Sequence, residues 1–426
     1  MVSGNFFKII SMVLNKGVRK NFREGYKLVK NDPNFSIKNS LKSRVVMLSG
    51  EKIVKHEGQY IISSFSPPLP SDAFSQQAKA TPKKENVFTQ QMLAQRNAPI
   101  SFFLALTYNC NYNCDHCSAK GRTSEKELTT KEWKSVISDL QEMGTSVIGF
   151  TGGEPLLRKD LEDIISFVDE RSVTILYTNG KGLTYEKAKS FKENGLFAVG
   201  VSLDSFDEEY FNEFRKNKNA FKNSVDALKN CRKAGLYTMM QTVLRKEDVT
   251  KDFLFELFRF GKELDVHEIR ILEPIRSGKL FYTDSREGIF FDKETRQKLI
   301  QLQFKINKKL KLPKMITFAH TESDAKYGCG AGTQHSYITP NGDMLPCDFV
   351  PLSFGNVLDK EVKELWKEMN SIIGLPKSGC FANKINKELQ TYKSQVFPLE
   401  RSLSEEICLK HQSKTYPKFY RAMQGK

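Results

Sequence analysis

The sequence predicts an α/β fold in which a partial (βα)6, TIM-like barrel is flanked by a small α+β N-terminal extension and by a C-terminal region containing a β-hairpin and a helix. Short apolar runs alternate with amphipathic stretches from residue 100 to residue 285, glycine or polar residues follow those runs, and cysteines group at two places. We therefore expect an N-terminal extension over 1–99, a barrel over 100–285 and a C-terminal domain over 286–426.

The composition is that of a globular protein with a large core. Of the 426 residues, 39% are hydrophobic and 27% are charged, and no apolar run reaches the ~20 residues that cross a bilayer. The first residues do not resemble a secretory signal, because Lys8, Lys16 and Arg19 interrupt the apolar run. We therefore expect a cytoplasmic protein, in which eight cysteines favour metal binding over disulfides.

The net charge of +16 would favour nucleic acid, an anionic membrane surface or an acidic substrate. Nucleic acid is not the expected partner, because the chain lacks the aromatic and arginine pattern of a nucleic-acid platform. General surface charge is the simplest interpretation, ahead of attraction to a membrane surface. The net charge and the cysteines, taken alone, would also fit a protein of another functional class, a zinc-stabilised basic nucleic-acid-binding protein.

The N-terminal extension is predicted to open with a basic amphipathic helix within residues 5–22, where apolar residues alternate with basic ones at helical spacing. This helix could make peripheral contact with a membrane or dock its apolar face on the next domain, and docking is favoured. Apolar runs at 44–48 and 60–65, with Gly50 and Gly58 between them, predict a small hairpin. The prolines within 67–70 and the polar stretch 75–84 predict a linker.

The barrel prediction rests on six apolar runs separated by helical stretches. The first helix has Thr129 or Thr130 as its cap, with Glu132 close behind. Such alternation implies a parallel sheet with right-handed crossovers, whose chemistry lies at the C-terminal ends of the strands. The predicted strands are 100–106, 146–150, 173–177, 196–203, 236–243 and 266–272, and the predicted helices between them are 130–143, 159–169, 185–194, 220–234 and 250–264.

Three cysteines follow the first predicted strand at C-x3-C-x2-C spacing, at Cys110, Cys114 and Cys117. Three thiolates from one loop can hold three irons of a cubane cluster and leave the fourth iron open to a substrate or cofactor. A zinc site completed by His116 or by a distant residue, or a group of buried thiols, would explain the same residues.

Unusual residues also follow the other strands. The second strand is followed by Gly152, Gly153 and Glu154, whose glycines would let a ligand approach the backbone closely and whose carboxylate could bind an amino group. A tight turn is the simpler interpretation of two glycines. However, polar segments also occur at 178–180, at 202–205 and at Glu273, and their coincidence at strand ends indicates a binding site.

The cysteine loop and the Gly152-Gly153-Glu154-Pro155 segment resemble the two main motifs of the radical S-adenosylmethionine enzyme superfamily. The resemblance covers about residues 100–285. It implies that the three cysteines bind a 4Fe–4S cluster, and that the amino and carboxylate groups of S-adenosylmethionine chelate its open iron. Zinc at this loop is then disfavoured.

The resemblance further implies that Gly152, Gly153 and Glu154 hold the methionine amino group, and that Ser202 and Asp204 reach the ribose or the methionine carboxylate. An electron from a donor such as flavodoxin or ferredoxin would yield methionine and a 5′-deoxyadenosyl radical, which abstracts hydrogen from the substrate. The substrate is left open among a peptide or protein, a tetrapyrrole, another small molecule and a lipid, and the catalytic side chains are unknown.

A second cysteine group follows the barrel. A hairpin turn at 340–343 is expected to bring Cys329 close to Cys347, and this segment resembles the opening of a SPASM or twitch extension. The resemblance implies an auxiliary 4Fe–4S cluster. Its expected ligands are Cys329, Cys347, Cys380 and Cys408. A structural zinc site is the alternative, and His411 is a candidate fourth ligand.

Overall fold

The structure is a computed structural model that describes residues 3–63, 65–79, 86–122, 124, 126–283, 288–392 and 396–426. Its N-terminal extension combines helices with a two-stranded antiparallel sheet. The elements are α1 Ser3–Leu14, α2 Lys16–Val29, α3 Ile37–Leu48, β1 Val54–His56, β2 Gln59–Ile61, α4 Asp72–Lys79 and α5 Val87–Met92. The predicted first helix is thus two helices, because the Asn15 side chain accepts a hydrogen bond from Val18 N and caps α2.

The predicted strand over 44–48 was wrong, since these residues form the end of α3. The Ser36 side chain accepts a hydrogen bond from Asn39 N and starts this helix, which outweighs the strand preference of the apolar run. The hairpin instead joins β1 to β2 through Glu57 and Gly58, both with positive φ, at 46° and 80°. The predicted linker is helical over its first residues in α4, and 80–85 lie outside the described residues.

The six predicted strands are confirmed as β3 to β8, each within two residues of its expected bounds. Three short strands extend them in one sheet, β9 at one edge and β10 and β11 at the other, with the order β11-β10-β3-β4-β5-β6-β7-β8-β9. Every pairing is parallel except that of β10 with β11. The strands are β3 Ser101–Ala105, β4 Val147–Thr151, β5 Val173–Thr178, β6 Ala198–Ser202, β7 Tyr237–Val243, β8 Glu268–Leu272, β9 Lys314–Thr317, β10 His335–Ile338 and β11 Met344–Leu345.

The helices that connect the strands pack against the outer face of the sheet. The first of them has the predicted bounds, because Thr129 and Glu132 form a capping box and Gly144, with φ of 104°, ends it. These helices are α6 Thr130–Met143, α7 Leu161–Ser166, α8 Tyr185–Glu193, α9 Glu208–Phe214, α10 Ala220–Lys233, α11 Lys251–Glu263, α12 Lys293–Asn307 and α13 Phe318–Thr321.

The C-terminal region adds helices and extends the barrel sheet. Strand β10 pairs with β3, so the predicted hairpin turn lies beside the strand that leads into the cysteine loop. The remaining helices are α14 Val362–Ile373, α15 Phe381–Leu389, α16 Arg401–Lys410 and α17 Lys418–Met423. Helix α17 packs on α3, and Trp366 Nε1 of α14 donates to Arg96 O at 2.9 Å, so the two ends of the chain meet.

The inner face of the sheet surrounds a lumen. A Cβ on Gly149 would lie 2.4 Å from the Phe103 ring, and one on Gly200 would lie 2.7 Å from the Tyr177 ring. These two glycines therefore leave room for two aromatic side chains that line the lumen. Among the described residues, no helix is both long enough and apolar enough to span a membrane.

Candidate active site

The cysteine loop leaves the C-terminal end of β3 and packs against the end of β4. Its thiols differ in exposure, since Cys110 is exposed, Cys117 is half-buried and Cys114 is buried. Gly153 N donates to Thr107 O at 2.7 Å, and Glu154 N donates to Asn109 O at 2.8 Å. These backbone bonds fix the loop at the edge of the sheet where the predicted site lies.

The paired glycines are needed because the loop backbone fills the space beside them. A Cβ on Gly152 would lie 2.2 Å from Thr107 O, and one on Gly153 would lie 2.3 Å from Asn109 O. Gly152 also has a φ of 142°, which side chains rarely allow. From the sequence, the glycines were expected to let a ligand approach the backbone closely. In the structure, the backbone of the cysteine loop lies against this side of the two glycines.

Glu154 is buried and organises the neighbouring strand ends. Its Oε1 accepts hydrogen bonds from Leu156 N at 3.0 Å and Thr178 Oγ1 at 2.7 Å, and its Oε2 accepts one from Asn179 N at 2.8 Å. Burial raises the pKa of Glu154 to about 7, against the lowering effect of these hydrogen bonds. Asn179 Nδ2 donates in turn to Asn111 Oδ1 at 2.8 Å, which ties the end of β5 to the cysteine loop.

Asp204 reaches the cysteine loop through an arginine that the sequence did not single out. Its Oδ2 accepts a hydrogen bond from Arg215 Nε at 2.7 Å, and its Oδ1 accepts one from Val243 N at 2.8 Å. Arg215 Nη1 donates to Cys114 Sγ at 3.7 Å. Both carboxylate oxygens of Asp204 are thus engaged within the protein, whereas Ser202 is half-buried at the end of β6. The sequence pattern did not indicate Arg215, which directly follows the last residue of α9.

The described thiols of the cysteine loop do not form a compact group of the kind that a single ion requires. Tetrahedral zinc, bound to sulfur at about 2.3 Å, would hold its ligand sulfurs about 3.8 Å apart. Among the described residues, the potential ligand atoms that all lie within 4.8 Å of one another belong to His335, Cys347 and Asp348, and not to the loop. His116 instead stacks on Phe214, with ring centroids 4.6 Å apart. In a cubane each cysteine binds its own iron, so the three thiolates need not converge on one ion.

The structure brings three of the four cysteines of the second group to one cavity. Cys329, Cys347 and Cys380 line one cavity, and Gly332 N donates to Pro346 O at 2.9 Å, which joins the segments of the first two. Cys408 is fully buried in α16 and is not among the residues that line the cavity. Nor is His411 positioned as a free ligand, because its Nε2 lies 2.5 Å from Glu388 Oε2.

Polar residues that the sequence did not single out accompany these three cysteines. Cys347 Sγ donates to Asp348 Oδ1 at 2.9 Å, and His335 Nε2 lies 4.0 Å from the same oxygen. Burial, together with the negative charges of Glu273 and Asp348, raises the pKa of Glu322 to about 8. Only a search for the short strand β10 could have indicated His335, because its position depends on pairing with β3.

The cavity has a volume of about 680 Å³ and connects the three parts of the chain. On the barrel side it is lined by Phe103, Tyr177 and Arg270, and Arg270 Nη1 donates to Tyr177 Oη at 2.6 Å. On the C-terminal side it reaches the thiols of Cys329, Cys347 and Cys380. Residues of helices α1, α2 and α3 also line it. Its size is that of a site for a small molecule or cofactor.

Comparison with known proteins identifies the class. Residues 104–254 match the model of the radical SAM superfamily, and residues 329–385 match that of SPASM, an iron–sulfur cluster-binding domain. The chain therefore contains a radical SAM domain and a C-terminal SPASM domain, as its motifs predicted, and it is an enzyme. These two domains imply a 4Fe–4S cluster, an auxiliary cluster and S-adenosylmethionine.

Curated relatives include two enzymes from Methanosarcina barkeri (strain Fusaro / DSM 804). The AdoMet-dependent heme synthase is 27% identical over 299 residues, which are 65% of this chain and 84% of that protein. The Fe-coproporphyrin III synthase is 39% identical over 147 residues, which are 34% of this chain and 37% of that protein. This likeness supports radical SAM chemistry for this chain, whereas its own substrate is a separate question.

Solved structures support the fold. Streptococcus suis SuiB bound to S-adenosylmethionine gives a TM-score of 0.54 at 17% identity, over 69% of this chain and 70% of that chain. Native anSMEcpe with bound AdoMet gives 0.52 at 18% identity, over 77% of this chain and all (100%) of that chain. Together with the mostly parallel sheet, these neighbours confirm the predicted partial barrel.

Proposed function

We propose that this enzyme abstracts hydrogen from an apolar, carboxylate-bearing small molecule held in the lumen, and that the substrate class is a tetrapyrrole. The observation that carries the proposal is the cavity of about 680 Å³, which extends from the aromatic wall of the lumen to Cys329, Cys347 and Cys380. A mainly apolar cavity of this volume suits a small-molecule ligand. The names of the two curated relatives support the same class.

Cys110, Cys114 and Cys117 would hold the first cluster, with Gly152, Gly153, Glu154, Ser202 and Asp204 around S-adenosylmethionine. When bound, these groups would supply the 5′-deoxyadenosyl radical that takes hydrogen from the substrate. The residues of the chain orient that chemistry. Gly152 and Gly153 seat the loop, and Glu154 orders the end of β5. Asp204 orients Arg215 toward Cys114, so we assign Asp204 a positioning role.

Arg96 supplies the polar contact that a substrate carboxylate would need. Its side chain lines the cavity and forms no ion pair with any described residue, and its Nε is buried without a hydrogen-bond partner. Arg96 is held in place because its carbonyl oxygen accepts the bond from Trp366 Nε1. A buried guanidinium N–H without a partner is costly, and a carboxylate could accept hydrogen bonds from Nε and a neighbouring Nη of Arg96.

The auxiliary cluster is proposed to use Cys329, Cys347 and Cys380. Cys408 was expected as the fourth ligand, yet its charged neighbours are Lys377 and Glu405. We therefore propose that the fourth position belongs to a group on the cavity side, where His335 and Asp348 lie beside Cys347. A one-electron donor such as flavodoxin or ferredoxin and a cytoplasmic location are part of the same proposal.

The substrate proposal is tested by titrating the anaerobically reconstituted enzyme with coproporphyrin III and following the absorbance of the porphyrin. Saturable binding is expected, and Arg96→Gln should weaken it at least ten-fold through loss of a charge-assisted bond. Arg259→Gln is the matched control, because Arg259 is exposed on α11 and does not line the cavity. Equal binding by the wild type and Arg96→Gln, or no binding at all, would exclude this carboxylate site.

A further inference from the structure

Helices α1, α2 and α3 present apolar side chains to solvent. Leu14 is 64% exposed, Ile37 is 62% exposed and Val45 is 70% exposed. Val13 and Leu41 are also about half exposed, at 49% and 55%. Single exposed apolar residues are ordinary, but a group on three adjacent helices is typical of an interaction surface. We call these three helices the N-terminal surface.

The N-terminal surface is also strongly cationic. Residues 1–50 contain ten Lys and Arg against one Glu and one Asp, a net charge of +8, which is half of the +16 of the whole chain. The two acidic side chains are engaged, because Glu24 Oε2 accepts from Ser75 Oγ at 2.7 Å and Asp32 Oδ1 accepts from Thr89 Oγ1 at 2.6 Å. No described carboxylate forms an ion pair with the exposed cations of α2 and its ends, which are Lys16, Arg19, Lys20, Arg23, Lys27 and Lys30.

The cavity opens at this surface. Its wall includes residues of all three helices, and several of them are exposed, among them Val13, Tyr26, Leu41 and Val45. Deeper in, the same cavity reaches Tyr177 in the lumen and Cys347 in the C-terminal domain. These four residues thus lie at the rim of the passage that leads toward the proposed reaction site, and Leu14 and Ile37 belong to the same helices outside the cavity wall.

We propose that the N-terminal surface docks on an anionic phospholipid bilayer and turns the mouth of the cavity toward the lipid. Apolar rim residues would enter the interface while the unpaired cations of α2 contact the head groups, which is how amphipathic basic helices bind membranes. A nucleic acid would match the charge but would leave aliphatic residues such as Leu14 and Val45 in water. A second copy of this chain would bring two surfaces of the same sign together.

The proposal goes beyond the proposed function and is tested without reference to turnover. The full-length reconstituted enzyme is sedimented with vesicles of phosphatidylcholine alone and of phosphatidylcholine with phosphatidylglycerol in equal parts. We expect at least ten-fold stronger partition to the anionic vesicles, which weakens when salt is raised from about 0.1 M to about 0.5 M. Comparable partition to the two kinds of vesicle would overturn the proposal.

Two variants locate the contact. Reversal of four cations in Arg19→Glu, Lys20→Glu, Arg23→Glu and Lys27→Glu should reduce partition at least ten-fold. The control makes the same charge change on and after α12, at Lys298, Lys305, Lys308 and Lys311, which are exposed and outside the cavity wall. Leu14→Ser with Val45→Ser alters only exposed apolar groups and should weaken partition without unfolding.

An equal loss in the α2 and α12 variants would mean that binding depends on net charge alone, which contradicts a defined surface. Self-association that the Leu14→Ser and Val45→Ser variant abolishes, in the absence of vesicle binding, would assign the surface to a second copy instead. Production of 5′-deoxyadenosine by the reduced enzyme is measured in parallel. Because that assay reports on the cysteine loop, failure of membrane docking is distinguished from failure of the proposed function.

Discussion

Arg215 Nη1 donates to Cys114 Sγ at 3.7 Å while Arg215 Nε donates to Asp204 Oδ2 at 2.7 Å. A buried guanidinium therefore links the fourth strand of the predicted barrel to the middle cysteine of the loop. Burial raises the pKa of Cys114, and the positive charge of Arg215 acts in the opposite direction. The arginine thus favours the thiolate that a metal cluster requires.

Replacement of Arg215 should impair cluster binding at the loop. In Arg215→Gln, Cys114 loses its positive neighbour and Asp204 loses its ion-pair partner, so we expect iron retention and 5′-deoxyadenosine formation to fall at least ten-fold. Arg171→Gln is the control, because Arg171 pairs with Asp169 on the exposed surface. Full iron content and full activity in Arg215→Gln would show that the thiolate needs no such support.

Gly153 is expected to tolerate no side chain. A Cβ there would lie 2.3 Å from Asn109 O and 2.6 Å from Tyr108 O, and backbone atoms cannot move aside as a flexible side chain does. Gly153→Ala should displace the cysteine loop and lower the iron bound at the loop several-fold. Gly25→Ala is the matched control, since nothing lies within 4 Å of a Cβ at that helical position. Normal iron content in Gly153→Ala would contradict the role assigned to this glycine.

The iron content of cysteine variants should distinguish the ligands of the auxiliary cluster from the other cysteines. On the stoichiometry of two cubanes, the reconstituted enzyme should hold about eight irons, and Cys347→Ala should hold about four. Cys408→Ala should keep about eight, because Cys408 does not line the cavity that contains the other three thiols. Cys231→Ala, in the buried face of α10, controls for loss of a core thiol. A drop to about four irons in Cys408→Ala would restore that residue as a ligand.

His320 should make the protein less stable in acid. Burial lowers the pKa of His320 to about 4, whereas an unfolded histidine has a pKa of about 6.5. As the pH falls below about 6.5, the unfolded state takes up a proton that the folded state does not, so the free energy of unfolding decreases. Between pH 7.5 and pH 5.0 the free energy of unfolding should therefore fall by about 2 kcal/mol more in the wild type than in His320→Gln.

Urea unfolding at the two pH values measures this difference. Gln301→Ala is the control, because Gln301 is exposed on α12 and carries no titratable group, so the acid dependence of the wild type should be unchanged. Equal acid sensitivity of the wild type and His320→Gln would contradict the assigned cause.

The sequence predicted those features that depend on local pattern. Strands β3 to β8 and helix α6 follow from apolar periodicity and capping residues, and the cysteine loop follows from its spacing. The run at 44–48 was wrongly predicted as a strand because its β-branched residues belong to a helix that begins at Ile37, after the Ser36 cap. Arg215 contacts Cys114 only through the tertiary fold, so no local pattern could indicate it. The position of His335 depends on the pairing of β10 with β3, which only a search for that short strand could have indicated.

The most direct measurement of the central claim compares the wild type with Cys114→Ala after anaerobic reconstitution, reduction and addition of S-adenosylmethionine. The wild type should release 5′-deoxyadenosine, and Cys114→Ala should release none, because the loop can no longer hold the cluster through three thiolates. Measurable 5′-deoxyadenosine from Cys114→Ala, at a rate near that of the wild type, would contradict the assignment of this loop as the radical-generating site.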